Sequence, residues 1–102
     1  MTAKGYWIGR VDVTHPEAYQ AYVTSNGPVF ARYKARFLVR GGRYEAVEGA
    51  ARARNIVLEF PSYEQALACW NDPAYQAVKR LRDGHCIADI LVIEGYDGPQ
   101  PG

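Results

Sequence analysis

The sequence predicts an α+β domain of ferredoxin-like βαββαβ topology: a four-stranded antiparallel sheet with helices on one face. Three observations predict it. The chain writes one pattern twice, with the apolar run Tyr6–Val13 leading into Thr14-His15-Pro16-Glu17 and the run Ile56–Phe60 leading into Pro61-Ser62-Tyr63-Glu64. Each half then carries a marked break, Asn26-Gly27-Pro28 in the first and Asn71-Asp72-Pro73 in the second, followed by a second helical piece and a strand. Finally, 102 residues suffice for one core but leave no room for another. We therefore expect one domain over 1–102, with its core at about 4–97 and a loose Gly/Pro tail at 98–102.

The elements follow in order. Gly5 to Val13 is rich in aromatic and β-branched residues and reads as a strand. Thr14 and Glu17 have capping-box spacing, and Pro16 suits a first helical turn, where its missing N–H costs little. Ala18 with Tyr22, and Tyr19 with Val23, form an apolar stripe until Gly27-Pro28 ends the helix. Val29, Phe30 and Tyr33 can be buried from the short piece that follows. The second strand spans about Ala35 to Arg40 and bends at Gly41-Gly42; Val47 to Ala53 reads as the hairpin loop. The third strand covers about Arg54 to Phe60. Ser62 caps the next helix, whose expected buried stripe is Tyr63, Leu67 and Trp70. After Pro73 the stripe continues as Ala74, Val78 and Leu81, with Lys79, Arg80 and Arg82 directed outward. Asp83-Gly84 ends that helix, and Cys86 to Glu94 is the last strand.

A sheet with helices on one face and water on the other should alternate apolar and polar residues. Phe37-Leu38-Val39, Ile56-Val57-Leu58 and Ile90-Leu91-Val92-Ile93 do not alternate. Both faces of the sheet therefore need cover, and the chain has no spare element to supply it. A second copy packed sheet against sheet is the economical answer, so a homodimer is expected.

Composition excludes several classes. The net charge of +1 gives no field to draw the molecule onto nucleic acid or an anionic membrane. The basic stretches Arg32 to Arg43, Arg52 with Arg54, and Lys79 to Arg82 are broken by acids or apolar residues and read as solvated surface. Ile90-Leu91-Val92-Ile93 is the longest aliphatic run, far short of a membrane span, and no apolar signal region precedes the first strand. A cytoplasmic location is the expectation. Cys69 and Cys86 lack metal-type spacing, and His15 and His85 are the two imidazoles of the chain, so neither a metal nor another cofactor is expected. No Gly-rich phosphate loop, nucleophile elbow or HExxH pattern occurs.

Gly5-Tyr6-Trp7-Ile8, Asp12-Val13 with Pro16-Glu17-Ala18-Tyr19, Phe37-Leu38-Val39-Arg40-Gly41-Gly42, Glu59-Phe60-Pro61-Ser62 and Glu94-Gly95-Tyr96 stand in an order that resembles the bacterial family called domain of unknown function 1330. The resemblance runs from about Lys4 to Asp97. It implies the dimeric α/β barrel architecture, in which ferredoxin-like protomers pair through their sheets. The superfamily includes cofactor-independent monooxygenases, haem-degrading oxygenases, muconolactone-type isomerases and proteins without established chemistry. The resembled family has no agreed reaction, and fold analogy cannot choose one. Where that family often has an acid this chain has His15, a change expected to touch helix capping more than chemistry.

The resemblance also implies a ligand cavity between sheet and helices, and the residues able to line it here are unusually aromatic. Tyr6, Tyr19, Tyr22, Phe30 and Trp70 are the pocket candidates; the same side chains serve equally as plain core. Their hydroxyls need partners if buried, in the protein or in a ligand. A second constellation places Arg10, Asp12, Arg40, Glu59 and Asp89 within apolar strands. These form ion pairs at an interface or strand end, or else Arg10 or Arg40 anchors an anionic substrate while Glu59 or Asp12 acts as base. His85 reads as a surface residue, and Trp70 beside Asn71 is spaced for the core, which argues against haem chemistry.

Two functional classes remain open. One is a cofactor-independent enzyme, a monooxygenase or isomerase, acting on a small aromatic or carbonyl metabolite. The other is a non-catalytic dimer that binds or senses such a molecule. The enzyme requires a carboxylate or histidine converging on the cavity with the tyrosines; the binding protein requires an apolar pocket without a general base.

Overall fold

The computed structural model describes residues 3–102. It runs β1 (Gly5–Val13), α1 (Pro16–Ser25), α2 (Gly27–Arg32), β2 (Arg36–Arg40), β3 (Arg54–Phe60), α3 (Tyr63–Asn71), α4 (Pro73–Lys79) and β4 (Cys86–Glu94). The strands form one sheet in the order β2-β3-β1-β4, every neighbouring pair antiparallel. Each half of the doubled pattern thus supplies one central and one edge strand. This is the ferredoxin-like architecture.

Strand parity sorts the side chains. Trp7 pairs with Leu58 and Val92 across the ladder, and Gly9 with Ile56 and Ile90, all on the face covered by the helices. Trp7 is the hub of that core: its ring centroid lies 5.0 Å from Tyr75, 5.3 Å from Phe60, 5.4 Å from Phe30 and 5.5 Å from Trp70. Its indole N–H donates to the Ala66 carbonyl at 2.8 Å, so the buried polar atom is satisfied while β1 is tied to α3. Gly5 allows the same approach at the start of the strand, where a Cβ would lie 2.3 Å from the Ser62 carbonyl oxygen.

Several local expectations are corrected. The Thr14–Glu17 capping box does not form. His15 is the N-cap and makes no side-chain cap bond. Thr14 N–H and His15 N–H both donate to the His85 carbonyl, at 3.0 and 3.1 Å, while Thr14 Oγ1 contacts His15 Nδ1. That tie to the start of β4 holds Thr14 outside the helix. In α3 the most buried side chains are Ala66 and Cys69, with Leu67 and Trp70 on the flanks, because a small-residue stripe lets the helix lie close on the sheet. Beyond α4 the chain tightens into i to i−3 bonds: Leu81 N–H to the Val78 carbonyl, Arg82 to Lys79 and Asp83 to Arg80. Three residues per turn instead of 3.6 rotates the expected stripe. Arg82 consequently turns inward, whereas Leu81 is 41 % exposed.

The helix breaks are built differently. At the first, the Asn26 N–H still donates to the Tyr22 carbonyl, so α2 continues α1 through an elbow at Gly27-Pro28. At the second, Asp72 is a full cap: Oδ1 accepts from the Ala74 N–H at 2.7 Å. Its Oδ2 accepts from the Tyr33 hydroxyl at 2.5 Å and lies 3.6 Å from the Arg32 guanidinium, linking the end of α2 to the start of α4.

The opposite face of the sheet is covered by no helix or strand among the described residues. Ile8, Leu91 and Ile93 are exposed there on β1 and β4, and Val57 and Val39 continue the apolar row across β3 and β2. No helix among the described residues is long and apolar enough to cross a membrane.

Candidate functional site

The sheet divides the sequence-predicted site residues into two groups. Arg10, Asp12 and Glu59 stand on the open face, as does Tyr6, whose hydroxyl donates to Glu59 at 3.3 Å. Arg10 donates to the Ala50 carbonyl at 2.8 Å. Asp12 accepts from the Ala53 N–H at 2.9 Å and from Arg52, which also reaches Asp89 at 2.8 Å. The Ala53 N–H, and after it Arg52, hold the Asp12 carboxyl below the usual carboxylate range. Asp12 is therefore kept ionised by firm partners, the opposite of what a general base near neutrality requires. Arg52, read from the sequence as solvated surface, joins both aspartates; it lies in the irregular loop before β3, where no period reveals its partners.

On the helix side a cavity of about 20 Å³ lies between the sheet and the α1–α2 elbow. Tyr19, Tyr22 and Phe30 wall it together with Trp7 and Phe37, Gly9 forms part of its floor, and Arg40, Arg54 and Asn26 supply its polar groups. The space holds about one water molecule. A ring-sized ligand must displace part of the wall.

Two of the polar groups correct or extend the sequence reading, which put Arg54 on the solvated surface and gave Asn26 only a place in the helix break. Arg54 is in phase with Ile56, Leu58 and Phe60, a period-2 series that could have placed it inside; its guanidinium lies 5.6 Å above the Tyr19 ring. Arg54 Nε is buried without a hydrogen-bond partner among the described residues. Asn26 is 5 % exposed, and its side chain makes no capping bond at the elbow. Arg40 stacks on Phe37 with 4.2 Å between guanidinium carbon and ring centroid. Burial pushes the Tyr19 hydroxyl up, only partly offset by Arg54, so it is a neutral phenol. Neither a carboxylate nor an imidazole lines the cavity.

Trp70 lies elsewhere, in a second cleft between α4 and β4. Between the two spaces the Tyr22 and Tyr75 hydroxyls are hydrogen-bonded at 2.8 Å, and Arg82 reaches Tyr75 at 3.5 Å. Burial, and then the neighbouring Tyr22, push the Tyr75 hydroxyl well above its ordinary value. Tyr75 therefore offers Arg82 a dipole and not a charge. The two histidines, far apart in sequence, meet at the β1–β4 end with ring centroids 5.0 Å apart. Among the described residues no group of three or more His, Cys, Asp or Glu side chains is placed to hold a metal ion.

A family model described as "Domain of unknown function (DUF1330)" matches residues 4–96. The chain belongs to this family. Among curated proteins none matches it. A protein of unknown function from Rhodopseudomonas palustris is similar in structure, with a TM-score of 0.76 at 18 % identity over 96 % of this chain and 86 % of that one. SnoaB, a cofactor-independent oxygenase from Streptomyces nogalater, superposes with a TM-score of 0.63 at 10 % identity, covering 98 % of this chain and 97 % of its own. A dimeric ferredoxin-like protein of unknown function from Thermobifida fusca gives 0.58 at 11 % identity, over 91 % and 93 % of the two chains. At such identities these likenesses establish the fold of the family member and carry no chemistry.

Proposed function

We propose that this chain is a homodimeric small-molecule-binding protein whose ligand, a small aromatic carbonyl compound, enters the cavity beneath the α1–α2 elbow. The observation that carries the reading is the character of that cavity: aromatic walls, an unpartnered Arg54 Nε–H, Arg40 and Asn26, and no carboxylate or imidazole. Rings suit a flat apolar body, and clustered donors suit an acceptor such as a carbonyl oxygen. Acid–base catalysis needs a group that takes up a proton near neutrality, and the cavity lining offers only phenols and guanidiniums. This favours binding over an isomerase. Dimer formation is supported by the apolar open face and by the dimeric state of the Thermobifida relative.

The test is calorimetric titration with benzaldehyde, acetophenone and 1,4-naphthoquinone, against cyclohexanol as an aliphatic control lacking the carbonyl. Aromatic carbonyls should bind and be recovered unchanged after aerobic incubation. Gly9→Ala should abolish the response while leaving the fold intact. Its methyl would stand 3.1 Å from Ile56 Cγ1, a flexible side-chain atom, and intrude on the floor. Recovery of an oxygenated or isomerised product would establish an enzyme instead, and undiminished binding by Gly9→Ala would remove the ligand from this cavity.

A further inference from the structure

Arg82 is the one charged side chain that is buried among the described residues, at 5 % exposure. Its neighbours are poor compensation for an interior cation. Nη2 is 3.5 Å from the Tyr75 hydroxyl, Nη1 is 3.9 Å from Cys86 Sγ, and the guanidinium carbon lies 5.1 Å from the centroid of the Tyr22 ring. No carboxylate pairs with it among the described residues. The adjacent Asp83 is occupied by Lys79, at 2.9 Å. A buried guanidinium ordinarily comes with an anion, because removal from water is costly without one.

The same side chain lines the cleft between α4 and β4, a space of about 380 Å³ and therefore within the size range of small-molecule sites. Trp70, Ala88 and Ile90 give the cleft apolar walls, and the Lys79–Asp83 pair stands at its rim. It shares only Ile90 with the lining of the cavity under the elbow. It also lies on the helix-covered side of the sheet, so a second copy packed on the open face leaves it accessible.

We infer that this cleft is a binding site for a small monocarboxylate with an apolar body. The carboxylate faces the Arg82 guanidinium, which offers parallel N–H donors matched to its two oxygens, and the body lies along Trp70, Ala88 and Ile90. A single negative charge fits better than a phosphate dianion, because the second cation at the cleft, Lys79, is neutralised by Asp83.

The probes are benzoate, its neutral analogue benzyl alcohol, and inorganic phosphate, titrated calorimetrically into the full chain. Benzoate should bind the natural protein and Gly9→Ala equally. Its affinity should fall about tenfold or more in Arg82→Met, and equally in Ala88→Val, which narrows the cleft from the strand side with the guanidinium intact. Benzyl alcohol and phosphate should bind at least about tenfold more weakly than benzoate. Absence of benzoate binding, or undiminished binding in Ala88→Val, overturns the inference even where Arg82→Met does not fold. Loss in Gly9→Ala with retention in Ala88→Val places benzoate under the elbow, overturning this site while leaving the carbonyl-binding reading intact. Phosphate binding as tight as benzoate overturns the monocarboxylate assignment.

Discussion

Single side chains in this protein divide into those made inert by burial and those left with unmet bonding capacity. Cys69 is of the first kind. It is fully buried in α3, and burial, reinforced by the Asp72 carboxylate, pushes its thiol up to about 12. A thiol that is both inaccessible and protonated at neutral pH does not attack an electrophile. Cys86 is half-buried, at the start of β4. We therefore expect a disulfide exchange reagent such as dithiobis-nitrobenzoate to titrate one thiol in the native protein, assigned to Cys86 by peptide mapping, and a second only in denaturant. Two thiols reacting at one rate in the folded state would contradict the packing of α3. Arg54 and Arg82 are of the second kind. Neither has a carboxylate partner among the described residues, and each borders one of the two spaces on the helix side of the sheet.

Elements were legible in the sequence where one period governed them, and illegible where a tertiary bond or a change of helical type intervened. The strands Arg54–Phe60 and Cys86–Glu94 stand where propensity and turn residues put them, and Ser62 caps α3 through the Gln65 N–H at 3.2 Å. Thr14 carries the right residue type for a cap, yet its backbone is bonded to His85, a partner 71 positions away that no local pattern reveals. The end of α4 reads as a continuing α-stripe, and its i to i−3 turns reverse the placements of Leu81 and Arg82. That reversal concealed the buried guanidinium, whereas the parity of β3 would have disclosed Arg54. Asp72 shows how much one boundary residue can hold. Its carboxyl lies below its usual value of 3.8, chiefly through the Tyr33 hydroxyl and then the Ala74 N–H. A depressed folded value means stability that is present above the unfolded pKa, about 3.9, and lost as pH falls through the folded one. Asp72→Ala should lower the Tm at pH 7 by roughly 4–8 °C, as loss of a cap does in a domain of this size. The gap between Asp72→Ala and the natural protein should narrow as pH falls below about 4. A gap independent of pH would assign the loss to packing alone.

At the scale of the whole molecule the decisive asymmetry is between the two faces of one sheet. The helix side closes over Trp7, whereas the other side leaves Leu91 50 % and Ile93 47 % exposed beside Ile8. An apolar row across a central and an edge strand is expensive to leave in water and prone to edge or face association. Charges on that face flank the row on both sides, Arg10, Asp12 and Asp89 with Arg52 on one and Glu59 with Arg36 on the other, so the row itself is free of charge and able to meet a copy of itself. A two-fold arrangement makes the same patch serve both partners. Leu91 faces Ile8 across the β1–β4 ladder and forms the β4 end of the row. A guanidinium placed there would be carried into an apolar interface without an anion, and such a burial is costly unless the interface opens. Leu91→Arg should therefore shift the mass measured by light scattering from about twice the 11.4 kDa chain to a single chain at micromolar concentration. Its circular dichroism should be unchanged, and benzoate binding at Arg82, on the other side of the sheet, should persist. A natural protein that already scatters as a monomer would remove the second copy from this face, and an unchanged dimer in Leu91→Arg would move the interface elsewhere.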